Sequence, residues 1–386
     1  MKIEGPCDIV YVRTLGTTDG WSAHMTKRIY NFSAGPAIMP EPVLEQAQRE
    51  LLSVDGCGMS VMEISHRSKR FEAILDSAER GIRELLSVPD NYRILFLQGG
   101  ATMQFSMVPI NFLHAGRSAD YVITGAWGKK ALIEAKKTGK VNVVYSSAEK
   151  GHRSIPDPDE LSFTRDAAYV HYTSNETIEG VEFKYELDGG GIPVVCDASS
   201  NILSKPLSIG RYALIYAGAQ KNIGPSGVTL VIIRDDMLDR CPDGMHSLLD
   251  YRKFAENASM PNTPNTWGIY LIGLVCQWIK SGGGVEEFEK RNTLKASILY
   301  DAIDSSDGFY SGHADRAVRS LMNVTFRLPD ERLESEFCDQ AAAIGLDGLR
   351  GHRSLGGIRA SIYNAFPREG VEVLVDFMRD FAQRNG

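Results

Sequence analysis

Short apolar runs alternate with stretches of helical periodicity between about residue 40 and residue 235. This alternation is typical of βα units and predicts a mainly parallel sheet. The runs are bounded by Gly, Asp, Ser or Asn, residues that favour turns at strand ends. The predicted strands are residues 93–97, 121–124, 141–145, 168–172, 193–196, 213–217 and 228–233. They are enough for one central sheet.

The pattern changes after the Ser-Gly-Gly-Gly segment at residues 281–284. From there the periodicity predicts a long helix, a strand, a helix and a closing helix, at residues 285–305, 321–327, 331–344 and 369–384. Because 386 residues exceed the size at which one hydrophobic core usually stops growing, we expect two domains. We predict a large domain at residues 41–281 and a small α+β domain at residues 282–386, which residues 25–40 join.

The first 24 residues differ from the rest of the chain. They contain neither the apolar core of a secretory signal nor an Arg-rich amphipathic pattern typical of a transit peptide. We therefore predict that residues 1–24 are a non-native or disordered extension, and that a chain beginning at Met25 is fully active.

Charge and composition exclude several classes of protein. The net charge is −7 and the basic residues are scattered, which argues against nucleic acid as a partner. The longest apolar stretch, residues 268–279, is too short to span a bilayer and predicts a buried helix. Six cysteines without a CxxC pair, and no clustered histidines, suggest neither a metal site nor a disulfide framework. We expect a protein of the reducing cytoplasm.

Asp197 and Lys221 are the central chemical feature. Asp197 ends one predicted strand and Lys221 follows a later one, so both should lie at the carboxyl edge of the sheet, where α/β proteins build their sites. A pyridoxal cofactor needs such a pair: a lysine to form an imine and move the substrate proton, and a carboxylate to keep the pyridine nitrogen protonated. Alone, the pair also fits a surface salt bridge or a helix cap. The glycine-rich turn around Lys221, residues 217–227, favours a ligand site because backbone can approach a ligand closely there.

Two further features belong to the same predicted edge. Residues 98–104, QGGATMQ, follow a strand and open a helix, so backbone N–H groups and the Thr102 hydroxyl could hold a phosphate. A plain strand-to-helix turn is equally compatible with this segment. Trp127 follows the strand at residues 121–124 and could stack on a flat ring, although a lone Trp is more often a core residue.

Candidate anion-binding residues are His66, Arg67, His352, Arg353 and Arg359. Arginine binds carboxylate and phosphate groups in bidentate fashion. For each His-Arg pair taken separately, a solvated surface position is at least as compatible with the sequence.

Seven ordered motifs from about Tyr30 to the C-terminus resemble those of phosphoserine aminotransferases, class V members of the fold type I pyridoxal phosphate enzymes. They are YNFSAGPA at 30–37, SVMEISHR at 60–67, HYTSNETIEG at 171–180, DASSN at 197–201, AGAQKNIGPSG at 217–227, PNTPNT at 261–266 and GHRSLGGIRASIYNA at 351–365. The resemblance implies a fold type I α/β architecture, with a large, mainly parallel seven-stranded sheet domain and a smaller α+β C-terminal domain. It also implies a homodimer with composite active sites.

The resemblance also assigns roles to individual residues. Lys221 would be the Schiff-base lysine, Asp197 would contact the pyridine nitrogen, Trp127 would stack on the ring and Thr177 would hydrogen-bond the cofactor. The cofactor phosphate would be held by Ala101, Thr102 and Gln220, with Asn262 and Thr263 of the neighbouring subunit. Some relatives carry an arginine in place of Thr102, so phosphate binding here should depend on backbone and hydroxyl donors.

For the substrate, the resemblance implies that Arg359 binds the α-carboxylate. The substrate phosphate would contact His66, Arg67, His352 and Arg353, and one of these pairs could come from across the dimer interface. The implied reaction transfers an amino group reversibly from L-glutamate to 3-phosphohydroxypyruvate, giving O-phospho-L-serine and 2-oxoglutarate. Activity on 4-phosphohydroxythreonine stays open.

Two other functions are alternatives to this one. Another class V enzyme, such as an alanine:glyoxylate aminotransferase or a cysteine desulfurase, would act on a substrate without phosphate. A desulfurase also needs a mobile catalytic cysteine, and nothing marks Cys57 or Cys338 for that role. A non-catalytic cofactor-binding regulator would be expected to carry a helix-turn-helix module or a basic arm, and the sequence indicates neither.

Overall fold

The computed structural model describes residues 28–386, so the prediction for residues 1–24 lies outside the described residues. The strands are β1 Tyr30–Asn31, β2 Tyr92–Leu97, β3 Ser118–Ile123, β4 Lys140–Ser146, β5 Val170–Thr173, β6 Asn175–Glu176, β7 Val181–Glu182, β8 Val194–Asp197, β9 Leu214–Gly218, β10 Thr229–Arg234, β11 Ser311–Gly312, β12 Asn323–Arg327, β13 Leu346–Asp347 and β14 Ile358–Ser361. The helices are α1 Glu41–Arg49, α2 Lys69–Leu85, α3 Gly100–Phe112, α4 Ala126–Ala135, α5 Asp235–Leu238, α6 Tyr251–Glu256, α7 Thr266–Ser281, α8 Gly284–Asp304, α9 Glu331–Ala343 and α10 Arg368–Asn385.

The seven predicted strands form one sheet in the order β2-β10-β9-β8-β5-β3-β4. Neighbours from β9 to β4 are parallel, whereas β10 is antiparallel to both β9 and β2. The reversal of β10 follows from its short connection to β9, because parallel neighbours need a longer crossover. The predicted mainly parallel α/β sheet is therefore confirmed.

Helices cover both faces of this sheet, and the side chains of each strand alternate between two cores. In β9, Ile215 packs into the core on one face, while Leu214 and Tyr216 pack into the core on the other. This alternation is expected for a strand that is buried on both faces. The first core contains α2 and α7, and the second contains α3 and α4.

The C-terminal part of the chain has a third core around the sheet β11-β12-β14, packed by α8, α9 and α10. β1 pairs in parallel with β13, which attaches the first described residues to this unit. Helix α8 is shared: Val285 and Phe288 lie in the first core, while Leu299 lies in the third. The predicted domain boundary at residue 282 thus stands beside a helix that contributes to two cores, and the division into domains stays a prediction.

The predicted buried helix at residues 268–279 is α7, most of whose residues are buried. Among residues 28–386, no helix has the length and apolar character needed to cross a membrane. Helix α7 packs closely on α2, where a Cβ added at Gly81 would lie 2.6 Å from the Cβ of Cys276. Across the same helix pair, a Cβ added at Gly273 would find its nearest atom, in Ala78, at an ordinary 3.7 Å.

We therefore predict opposite effects for two alanine substitutions at this helix pair. Gly81→Ala should lower the free energy of unfolding, because overpacking costs about 1–3 kcal/mol and exceeds the helix-propensity gain of about 1 kcal/mol. Gly273→Ala is the matched control, and should leave stability unchanged or raise it by up to about 1 kcal/mol. Thermal unfolding at one protein concentration measures both, and equal effects would contradict this account of the α2–α7 contact.

Candidate active site

One cavity lies at the carboxyl edge of the seven-stranded sheet, at the ends of strands β5, β8 and β9. It is lined by Gly100, Ala101, Thr102, Phe105, Trp127, Thr173, Asn175, Thr177, Asp197, Ser199, Ser200, Gln220 and Lys221. Seven of the residues singled out from the sequence are thus brought together: Ala101, Thr102, Trp127, Thr177, Asp197, Gln220 and Lys221. Their chain positions span more than a hundred residues, and the sheet edge is what assembles them.

The amine of Lys221 points into this cavity from the turn between β9 and β10. Its Nζ donates a hydrogen bond of 2.5 Å to Oγ1 of Thr177, and lies 5.8 Å from the centre of the Trp127 ring. Burial, reinforced by the nearby charge of Arg359, lowers the pKa of Lys221 to about 8, against the opposing effect of Asp197. An amine with this pKa is partly neutral near physiological pH, unlike an ordinary lysine, so it can act as a nucleophile and proton acceptor.

Asp197 is a buried carboxylate held in a fixed orientation. Its Oδ1 accepts hydrogen bonds from the backbone N–H of Ser199 at 3.0 Å and from the Ser199 hydroxyl at 2.6 Å. The hydroxyl oxygen of Ser199 in turn accepts the N–H of Gly218, at the end of β9. Burial raises the pKa of Asp197, while the contacts with Ser199 and the charge of Lys221 oppose that rise. A carboxylate placed in this way can pair with a protonated ring nitrogen in the cavity.

Trp127 provides a flat apolar wall. It lies in the first turn of α4, and its indole Nε1 is buried without a hydrogen-bond partner among the described residues. An unpaired donor of this kind in a cavity wall is suited to a polar group of a ligand. On the same helix, Nζ of Lys130 lies 4.1 Å from the centre of the Trp127 ring.

The N-terminus of α3 is the part of the cavity suited to a phosphate. Gly99 and Gly100 have φ of 88° and 66°, a conformation that glycine adopts without strain, and they turn the chain from β2 into the helix. The first N–H groups of a helix have no intrahelical acceptor, and those of Ala101 and Thr102 lie in this first turn. The first turn contains no acidic residue, so its partial positive charge is free to attract an anion.

Four basic side chains form a further group: His352, Arg353 and Arg359 belong to the C-terminal unit, and Lys130 is on α4. Burial, followed by the charges of Arg359, Lys130 and Arg353, lowers the pKa of His352. Arg359 is on β14, and its Nε is buried without a hydrogen-bond partner within the described chain. Lys130 was not among the residues chosen from the sequence, because an exposed lysine on a helix carries no signal of its own.

Seven predicted residues do not line the cavity: His352, Arg353 and Arg359 of the C-terminal unit, and His66, Arg67, Asn262 and Thr263. His66 and Arg67 lie in the turn that precedes α2. Asn262 and Thr263 lie before α7, where the backbone oxygen of Thr263 accepts a hydrogen bond of 3.0 Å from Gln98 of the same chain. The roles of all seven residues stay predictions; Asn262 and Thr263 are expected to act from the neighbouring subunit, as is one of the two His-Arg pairs.

Two buried residues in the motif at 171–180, Glu176 and Glu179, were also missed. Their carboxylates accept backbone N–H groups at the start of α4, the helix of Trp127. The only signal in the sequence is an acidic pair in a segment that is otherwise uncharged. Among residues 28–386 no group of His, Cys, Asp and Glu side chains is arranged to hold a metal ion.

The fold agrees with comparison to known proteins. The model of the aminotransferase class-V family matches residues 29–374. The chain therefore belongs to the class-V aminotransferase family.

Within that family, the similar proteins are phosphoserine aminotransferases. The phosphoserine aminotransferase of Geobacillus kaustophilus is 54% identical over 358 residues, which cover 93% of this chain and 99% of that protein. The solved structure of the enzyme from Bacillus circulans subsp. alkalophilus is 48% identical, covers 94% of this chain and 100% of its own, and superposes with a TM-score of 0.92. A pyridoxal phosphate-bound phosphoserine aminotransferase from Trichomonas vaginalis is 40% identical, covers 91% of this chain and 100% of its own, and superposes with a TM-score of 0.87. The resemblance seen in the motifs is confirmed.

The lowered pKa of Lys221 generates a prediction about its reactivity in the cofactor-free protein. Reductive methylation by formaldehyde requires the neutral amine, so labelling of Lys221 should rise through a midpoint near pH 8. An ordinary lysine should show a midpoint at about pH 10.4. In Asp197→Asn the midpoint should move lower, because the negative charge that raises the pKa is removed. Mass spectrometry of the peptide measures this, with exposed Lys137 as internal control. A midpoint like that of Lys137 would contradict the burial of the amine.

Proposed function

We propose that this protein transfers the amino group of L-glutamate reversibly to 3-phosphohydroxypyruvate, giving O-phospho-L-serine and 2-oxoglutarate, with pyridoxal 5'-phosphate as cofactor. The observation that carries the proposal is the meeting of Lys221, Asp197 and Trp127 at one cavity beside the N-terminus of α3. The 54% identity with a phosphoserine aminotransferase over nearly the full length supports the substrate assignment.

The residues present fit the cofactor. Lys221 would bind its aldehyde carbon, Asp197 its pyridine nitrogen, and Trp127 the face of its ring, while Thr177 is within hydrogen-bond reach of the lysine. For the phosphate, the free N–H groups of Ala101 and Thr102 and the Thr102 hydroxyl supply donors, with Gln220 nearby. Asn262 and Thr263 are proposed to complete the phosphate site from the partner subunit. When bound, pyridoxal phosphate supplies an electron sink for the carbon that loses its proton.

Lys221 is also the proposed proton carrier of the reaction. Its Nζ would take the proton from the substrate α-carbon and would donate it again within the same cavity. A pKa of about 8 suits both directions of that transfer near neutral pH. The hydrogen bond to Thr177 keeps Nζ on the side of the cavity where Trp127 also lies.

Substrate selectivity is proposed to come from the cations around Arg359. A chain with net charge −7 has to collect positive charge locally in order to attract a phosphorylated substrate. Arg359, which has an unpaired buried Nε, is proposed to bind the α-carboxylate. His352 and Arg353 are proposed to bind the substrate phosphate, together with His66 and Arg67, with one of these pairs coming from the partner subunit.

A homodimer is also proposed, in which one of the His-Arg pairs comes from the partner subunit. Exposed apolar side chains are grouped in the chain segment before the His66-Arg67 turn: Leu51, Leu52, Met59 and Met62, of which Leu52 is 82% and Met62 59% exposed. Clustered exposed apolar residues are typical of protein contacts, so they support a second copy of the chain covering this region. The described cysteines, Cys57, Cys196, Cys241, Cys276 and Cys338, form no disulfide, which supports the proposed cytoplasmic location.

The proposed function is tested by offering glutamate together with 3-phosphohydroxypyruvate and, in parallel, with unphosphorylated hydroxypyruvate, glyoxylate or pyruvate. We expect turnover to be far faster with the phosphorylated keto acid. Equal or greater turnover with an unphosphorylated one would favour another class V activity.

When the phosphoserine and glutamate half-reactions are measured separately, Arg353→Leu should lower the apparent affinity for phosphoserine about 10- to 150-fold. Hydrogen bonds to charged groups are worth about 1.5–3 kcal/mol. Glutamate, which has less charge and fewer acceptor oxygens, should lose less. The matched control is Arg350→Leu, which removes the same charge from an exposed arginine whose partner is Asp339. An equal loss of kcat/KM for both substrates, or no loss for phosphoserine, would mean that Arg353 does not bind the substrate phosphate.

A further inference from the structure

We propose that Glu176 and Glu179 are positioning residues for Trp127, acting through the backbone at the start of α4. This inference rests on the proposed function, in which Trp127 stacks on the cofactor. The N–H of Ala126 donates to Glu179 Oε1 at 3.0 Å. The N–H of Trp127 donates to Glu176 Oε2 at 3.0 Å, and that of Gly128 to Glu176 Oε1 at 2.9 Å. Three consecutive N–H groups are therefore held by two side chains.

The arrangement replaces an ordinary helix cap. Helices usually begin with a Ser, Thr, Asp or Asn whose own side chain accepts the first N–H groups. Helix α4 begins after Gly125, which has no side chain to offer, and the acceptors come instead from the β6–β7 hairpin. A Cβ at Gly125 would lie 2.5 Å from the Glu176 carboxyl carbon and 2.6 Å from Glu179 Oε2. Glycine is thus needed at this position to make room for the two carboxylates.

Placing two carboxyl groups here is costly, which argues for a function beyond filling space. Glu176 is fully buried and Glu179 is 6% exposed. Burial, together with the neighbouring Glu179, raises the pKa of Glu176, and burial raises the pKa of Glu179 to about 7. A buried carboxyl group destabilises a fold unless hydrogen bonds compensate for its lost hydration. The three backbone bonds provide that compensation, and they do so at the helix turn that carries Trp127.

The same hairpin also positions the lysine. Thr177, which accepts the hydrogen bond from Lys221, directly follows Glu176 in the chain. A single short segment therefore contacts both the reactive amine and the helix turn that carries Trp127. The relative placement of Lys221 and Trp127 depends on this segment, although neither glutamate lines the cavity.

Two glutamine substitutions provide a matched test. Glu176 accepts with both oxygens, so Glu176→Gln must lose one of its two bonds and turn an NH₂ group toward a backbone N–H. Glu179 accepts with Oε1 alone, so Glu179→Gln can keep its bond. We expect Glu176→Gln to raise the dissociation constant of pyridoxal phosphate about 10-fold and to reduce the quenching of Trp127 fluorescence by the bound cofactor. Glu179→Gln should change the dissociation constant by less than about 2-fold, since the hydrogen bond from the N–H of Ala126 is kept.

A double-mutant cycle separates positioning from general support of the fold. On a Trp127→Ala background there is no ring to position, so Glu176→Gln should add little to the loss of cofactor affinity. The same loss in both backgrounds, or no loss in the single variant, would overturn the proposal. If Glu176→Gln does not fold, Gly125→Ala takes its place, because its Cβ displaces the carboxylates without removing them.

Amide hydrogen exchange of the holoenzyme and of the cofactor-free protein provides a readout that needs no turnover. Glu176→Gln should speed exchange in the peptide containing residues 126–128, while Glu179→Gln should have a smaller effect. Unchanged exchange in Glu176→Gln would also overturn the proposal. A wild-type protein that fails to use glutamate but shows these exchange and quenching effects would refute the proposed reaction and leave the positioning role standing.

Discussion

The half-buried amine of Lys221 and the buried carboxylate of Asp197 share one cavity, and the surrounding structure keeps them there. Asp197 raises the pKa of Lys221, while burial and Arg359 lower it, so the amine stays near the range where it can both gain and lose a proton. This balance depends on where the strands end. Strand β8 ends in Asp197, and β9 leads directly into the turn with Lys221. A shift of either strand by one residue would turn the side chain away, because side chains alternate along a strand.

The cavity is linked to the C-terminal unit by a buried hydrogen-bond network. Asn175, in the cavity wall, donates to Oδ1 of Asn323 on β12 at 2.9 Å. Asn323 donates to the hydroxyl of Tyr363 at 3.0 Å, and that hydroxyl donates to the backbone oxygen of Ala34 at 2.8 Å. Arg359 is on β14, which pairs with β12. The network therefore ties the strand pair that carries the proposed carboxylate-binding arginine to the wall of the cofactor site.

Local patterns in the sequence were sufficient to predict the strands of the main sheet. The seven strands of the main sheet were predicted within three residues at either end, since they are largely apolar and bounded by turn residues. The two-residue strands, such as β6 and β7, were missed because they are too short to show a period. Cavity residues in glycine-rich or strand-end motifs were predicted, whereas the contacts of Glu176 and Glu179 with α4 join segments about fifty residues apart that share no local pattern. The roles of the site residues stay predictions; those of Asn262, Thr263 and one of the two His-Arg pairs depend on a second subunit, which the sequence of one chain does not place.

The central claim is that Lys221 is the residue that carries the cofactor. It is tested most directly by loading the purified protein with pyridoxal phosphate, reducing it with borohydride, digesting it and mapping the modified peptide by mass spectrometry. The account predicts a single stoichiometric pyridoxyl group on Lys221, and its absence in Lys221→Ala at unchanged thermal stability. A pyridoxyl group on another lysine, or undiminished labelling and turnover in Lys221→Ala, would contradict it.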